Sequence, residues 1–177
     1  MIGVIFVNKF VFLQKIYPDM NKILRFSFIV LTMLVGVFSL GAQAPSNPVK
    51  WRINVKMSSA TEGEVIMIAT IADGWHLYGM NLPKGGPKST EINLGESTGV
   101  KFTGPLTQSV APKAYHDAMF DMELSCWEKK VTFRRKFKVT DAAKAAIIGE
   151  IKFMSCNDVN CSAPSTEKFN KKIPQTK

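Results

Sequence analysis

Apolar and polar side chains alternate along much of the chain, and this period of two limits the fold more than any other feature. Trp51, Ile53, Val55 and Met57 alternate with Arg52, Asn54 and Lys56, the pattern of a strand with one buried face. Val131, Phe133, Phe137 and Val139 share one parity, interrupted by Arg135, opposite Thr132, Arg134, Lys136 and Lys138. The β-branched run from Glu64 to Ile71 reads as a central strand. Ile151 and Phe153 are expected to begin another strand after Gly149, and Lys168–Ile173 to form the last. Turn chemistry separates these runs at Ala72-Asp73-Gly74, Pro83-Lys84-Gly85-Gly86-Pro87 and Gly104-Pro105. Only Thr140–Ala146 looks helical, one or two turns with Thr140 or Asp141 as the N-cap.

Seven or more short strands in about 130 residues predict an all-β fold, an antiparallel β-sandwich of immunoglobulin-like shape. Composition agrees: 46% hydrophobic and 21% charged residues are too apolar for a disordered chain. A multi-span transporter is excluded, because only one run near the N-terminus approaches the length of a membrane span. Three cysteines are too few for a disulfide-dense mini-protein. Paired carboxylates at a recognisable spacing, G-x-S-x-G and phosphate loops are missing, so hydrolase and nucleotide readings have no support. No cofactor is expected.

The first 44 residues read as a secretory signal. Lys22 and Arg25 precede the apolar stretch Phe26–Leu40, and Gly41-Ala42-Gln43-Ala44 supplies the small-x-small pattern of a cleavage site. Met20 fits as the start of that signal, and cleavage after Ala44 would leave one domain, 45–177. No membrane span is expected once the signal is removed, and the location expected is the periplasm. The formal charge falls from +9 to +6 with the signal, which carries four basic residues and one acidic. Lys129-Lys130 and Arg134-Arg135-Lys136 lack the interleaved aromatics of a nucleic-acid surface and read as a solvated strand face, so no nucleic acid is expected.

The chemistry centres on Cys156-Asn157-Asp158-Val159-Asn160-Cys161. Four turn-forming residues separate the cysteines, and a hairpin over them would set Cys156 and Cys161 opposite each other, within disulfide reach. Ile151 and Phe153 point to the core, so simple alternation turns Cys156 to the other face with Lys152 and Met154, toward the surface. Thiol exchange requires such access. The ring is small, and closing it is worth roughly 2 kcal/mol in the chain-entropy model, a modest staple. Most disulfides of exported domains are nonetheless structural. Zinc is a weak rival, since C-x4-C is half a site. The scattered Met57, Met67, Met80, Met119, Met122 and Met154 could serve copper but read first as core fillers, so no metal site is expected.

Four segments, Asp73–Gly79, Leu82–Pro87, Tyr115–Phe120 and Cys156–Cys161, stand in an order and spacing that span the chain after the signal. Together they resemble the N-terminal periplasmic domain of thiol:disulfide interchange proteins of the DsbD family, the disulfide bond corrector domain. The resemblance implies an immunoglobulin-like fold with the redox pair at one end. It also implies that the domain takes electrons from membrane and thioredoxin-like parts and reduces thioredoxin-fold periplasmic partners, such as disulfide isomerases and cytochrome c maturation thioredoxins. Cys161 would then form the mixed disulfide and Cys156 resolve it. His116–Phe120 (including Asp117) matches the family's cap loop, with Met119 or Phe120 as the shield, and His76 and Tyr78 match a segment near the pair. The C-x4-C spacing is one residue shorter than in the best-known members, and Pro164 alone stands where Pro-Pro commonly follows the second cysteine. Neither the membrane relay nor the thioredoxin-like domain is in this sequence, so another chain is expected to supply the electrons.

Cys126 is the odd cysteine and reads first as a buried free thiol; three cysteines allow three single bridges, so its pairing with Cys156 or Cys161 stays open. His76 and His116 read as loop-packing residues before acid–base groups. Trp51, Trp75 and Trp127 are core or rim aromatics. Two functions compete. One is an exchange module, a component of a protein-disulfide reductase if the pair is redox-active. The other is a non-catalytic binding or adaptor sandwich in which the disulfide is a staple.

Overall fold

The computed structural model describes residues 47–174; the expected signal peptide lies outside them. Among the described residues eleven strands follow one another: β1 (Val49–Met57), β2 (Glu62–Ile71), β3 (His76–Tyr78), β4 (Glu91–Asn93), β5 (Val100–Gln108), β6 (Lys113–Asp117), β7 (Met122–Glu128), β8 (Lys130–Val139), β9 (Ala146–Phe153), β10 (Ser155–Cys156) and β11 (Ser165–Lys172). Every paired strand is antiparallel. Three sheets result, in the orders β1-β2-β8-β5, β11-β9-β4 and β10-β3-β7-β6. The expected all-β, immunoglobulin-like sandwich with a cysteine pair is thus what the chain forms.

The alternating residues meet in one core. Val65, Met67, Ala69 and Ile71 of β2 are buried with Val131, Phe133 and Phe137 of β8, Ile147, Ile151 and Phe153 of β9, and Phe169 of β11. Leu77 and Trp127 bring the third sheet into the same core. Phe133 is its hub: the Trp127 ring meets it edge-on at 5.2 Å and Trp51 lies 6.0 Å away. Truncating such a fully buried Phe to Ala costs about 3–5 kcal/mol. Arg135, which interrupts the β8 pattern, stands opposite Val65 on the inner side, with its guanidinium 4.8 Å from the Phe102 ring centroid. Of the two basic segments, Lys129, Lys130, Arg134 and Lys136 are exposed as expected, and Arg135 alone departs from the solvated face.

Other expectations are corrected. Gly104-Pro105 does not end a strand; it lies inside β5, where the register against β8 jumps between Thr103 and Thr107 and Gly104 takes φ +74°. A bulge needs the same turn-forming residues as a loop, so the two look alike in sequence. The Thr140–Ala146 helix shrinks to one 3-10 turn, Ala142–Lys144, capped by Asp141, whose Oδ1 accepts from Ala143 N at 3.1 Å. Ala145 is already extended, because Ala146 pairs with Thr98 and enters β9. Ile151 and Phe153 end that strand rather than begin it, and the last strand starts at Ser165 rather than Lys168.

Candidate redox site

The third sheet has two faces with different fates. Its register sets Cys156 opposite His76, Ser155 opposite Leu77, Tyr78 opposite Cys126, Leu124 opposite Tyr115 and Met122 opposite Asp117. Cross-strand partners share a face. Leu77, Trp127 and Ser155 therefore turn toward the main core, while His76, Tyr78, Tyr115, Asp117, Leu124, Cys126 and Cys156 line the other side. A second apolar cluster forms there: Tyr78, Leu124 and Cys156 are buried, with Leu82, Tyr115, Phe120, Met122, Met154 and Cys161 packed around them.

Cys156 and Cys161 are disulfide-bonded, with Cα atoms 4.0 Å apart and directly opposite each other across an antiparallel bridge. Asn157 builds the connecting loop: its Oδ1 accepts from Val159 N at 2.9 Å and Asn160 N at 2.6 Å, and its N–H donates to Asn160 O. Ser162 closes the base, its N–H donating to Ser155 O at 2.8 Å. The expected exposure of the pair is corrected. Cys156 is only 1% exposed, whereas Cys161 is half-buried. Alternation does hold through the break at Met154, with Ser155 inward and Cys156 on the opposite face. That face is simply not solvent, because the β6–β7 turn covers it.

Asp117 holds the turn in place. Its Oδ1 accepts from Met119 N at 2.9 Å and Phe120 N at 3.2 Å, the local bond that Asp makes at turns. Phe120 then meets the Tyr78 ring edge-on at 6.2 Å, and Met119 reaches over the disulfide, its Sδ 3.2 Å from Cys161 Sγ. His116 falls on the other side of β6 from Tyr115 and Asp117. It is exposed and pairs with Asp121 at 3.3 Å and Glu123 at 3.2 Å, so it braces the turn from outside rather than facing the cysteines.

Behind the cap lies a polar network. Tyr78 and Tyr115 each donate to Asp117 Oδ2 at 2.6 Å. Tyr115 Oη also lies 2.8 Å from His76 Nε2; since its one proton goes to Asp117, the imidazole is the donor there. Burial works against the Asp117 charge, but the two hydroxyls and two backbone N–H groups outweigh it and hold the carboxyl below its ordinary range. Burial first, then the hydrogen bond to Asp117, pushes both tyrosine hydroxyls far up. Desolvation lowers the His76 pKa, against the pull of Asp117 and Asp158. Tyr115 joins the site beyond the residues the sequence marks; its signal is its position two residues before Asp117, on the same strand face. Cys126 is a buried free thiol, pushed up by burial to about 11. Among the described residues no group of three or more His, Cys, Asp or Glu is arranged to hold a metal ion.

Comparison with known proteins places this arrangement. Among solved structures, the N-terminal periplasmic domain of ScsB from Proteus mirabilis matches with a TM-score of 0.51 at 20% identity, over 73% of this chain and 49% of that one. The chain thus spans about half the length of that structure, with which it shares the fold. The Neisseria meningitidis DsbD N-terminal domain in its reduced form matches at 14% identity and a TM-score of 0.45, over 74% of this chain and 90% of that one. No curated protein sequence matches. The family model described as thiol:disulfide interchange protein DsbD, N-terminal, matches residues 44–173, which takes in the cysteine pair, the cap turn and the main core. The chain belongs to that family of DsbD N-terminal domains.

Proposed function

We propose that this chain is a periplasmic thiol–disulfide exchange module that passes electrons between thioredoxin-fold partners through Cys156 and Cys161. The observation that carries the reading is the unequal burial of the two sulfurs: Cys161 is half-buried under one side chain of the cap, and Cys156 is sealed beneath it. In the reduced state the Cys161 thiolate attacks a partner disulfide in line with its S–S bond, forming a mixed disulfide and releasing one partner thiolate. Cys156 then attacks Cys161 Sγ, restoring the intramolecular bond and releasing the second partner thiolate. Two electrons have moved to the partner. A dithiol donor reloads the pair by the reverse steps, and a membrane electron relay on another chain is the expected source. In this reading residues 1–44 are the export signal and 45–177 the working domain.

A Cys156→Ser variant is expected to accumulate a mixed disulfide with a thioredoxin-fold partner through Cys161, and Cys161→Ser to form none. Thiol trapping of the full chain in defined redox buffers, read by mass spectrometry, gives the potential of the pair. A couple between about −180 and −270 mV fits an exchange protein. One below about −300 mV makes the disulfide a staple and the chain a binding module.

A further inference from the structure

The cap brings a donor atom, not only carbon, against the cysteine pair. Met119 Sδ lies 3.2 Å from Cys161 Sγ. Disulfide sulfurs carry no proton, so this is a thioether sulfur laid against a sulfur. Met119 is 49% exposed, so it is not a core filler. Met122 and Met154 belong to the same apolar cluster as both cysteines. Thiolate and thioether sulfur are soft ligands, which select monovalent copper over the harder divalent ions.

The geometry points to a Cu(I) site that forms when the disulfide opens, made of the Cys156 and Cys161 thiolates and the Met119 thioether. A dithiol reductant delivers two electrons to the S–S bond and itself becomes a disulfide, leaving two thiols on this chain. Cu(I) then binds with loss of both thiol protons, giving a three-sulfur complex of net charge −1 with no further change of oxidation state. Metal–sulfur bonds of about 2.3 Å in a trigonal plane set the sulfurs about 4 Å apart. The cysteine Cα atoms are 4.0 Å apart, and rotation about χ1 can open the sulfurs to that spacing. Met119 is already in reach. Zinc is not served, since no third His, Cys, Asp or Glu joins the pair among the described residues. Copper held this way occupies both exchanging sulfurs and blocks mixed-disulfide formation. The inference rests on the proposed function only in requiring a pair that can be reduced.

The test uses the full chain, reduced with dithiothreitol, freed of it anaerobically, and titrated with Cu(I) held by bathocinchoninate. The reduced chain is expected to take one Cu(I) from the chelator and the oxidised chain none. Met119→Leu keeps the shape of an exposed turn and should weaken binding by at least roughly tenfold, since even outer-shell partners of a metal are worth that much. Cys161→Ser should abolish it. Copper-edge X-ray absorption should report three sulfur neighbours in the native chain and two in Met119→Leu. A reduced native chain that leaves the copper with the chelator overturns the inference, as does Met119→Leu with native affinity. A pair that exchanges with partners yet ignores copper overturns this inference alone; a pair that resists reduction overturns both it and the exchange reading.

Discussion

Tyr78 and Tyr115 donate to the same oxygen, each hydroxyl 2.6 Å from Asp117 Oδ2. One strand-end carboxylate thereby joins the floor of the site, β3, to its roof, because its second oxygen holds the backbone of Met119 and Phe120. The cap over the disulfide is thus tied to the site by this side chain, with His116 bracing the turn from outside and Phe120 packing on Tyr78.

Asp117→Ala is accordingly expected to unpin the cap and leave two tyrosine hydroxyls without their acceptor. The loss should be on the order of 3 kcal/mol in urea unfolding, the penalty for stranding buried polar groups. In the reduced protein, alkylation of Cys161 should become faster as the turn loosens.

Acid should destabilise the domain in two ranges. His76 has its pKa lowered by burial from 6.5, so the unfolded chain binds more protons and stability falls as pH drops below about 6.5. Asp117 is held below 3.8, burial being outweighed by its four donors, so its contribution is whole above that value and is lost as pH falls through the folded one. Urea midpoints measured against pH should show both declines, and His76→Phe should remove the upper while keeping the lower.

In the exchange reading, Met119 is the side chain that an incoming thiolate displaces, because its Sδ lies against Cys161 Sγ. Met119→Ala is expected to speed reduction of the Cys156–Cys161 bond by a small dithiol several-fold, with little change in thermal stability. Phe120→Ala, which removes the ring packed on Tyr78, should instead lower stability and speed reduction together. Stopped-flow reduction alongside thermal melts separates the two.

Cys126 should be inert in the folded chain. Burial holds its thiol at about 11, so at pH 8 iodoacetamide should label it only on unfolding. Cys126→Ala should cost about 1 kcal/mol and leave exchange through Cys161 unchanged.

What was legible in the sequence was local. Trp51 to Met57, Glu64 to Ile71 and Val131 to Val139 alternate because each lies on a sheet with one buried face, and each is a strand. The Asn157–Asn160 turn is written in residues that cap their own backbone, so spacing sets Cys156 and Cys161 within reach of each other, while a bridge from Cys126 to either stays open until the fold places Cys126 as a buried free thiol. Strands β3, β4, β6 and β10 are not legible, because pieces of two to five residues carry too little period to recognise. Nor is β7, where Leu124, Cys126 and Trp127 are buried on both faces and erase the alternation, or β5, which its bulge interrupts. Gly104-Pro105 misled because a bulge and a turn need the same residues.

The sequence by itself determined the strand class, the facing cysteines and even the direction in which Cys156 points, since side-chain alternation is a property of the extended backbone. Only the tertiary structure decided what lies on that side. Met119, Phe120 and Asp117 come from a turn about 40 residues earlier in the chain, and strand pairing of β3, β7 and β6 carries them over the cysteines. Alternation says where a side chain points; burial depends on which distant segment arrives there.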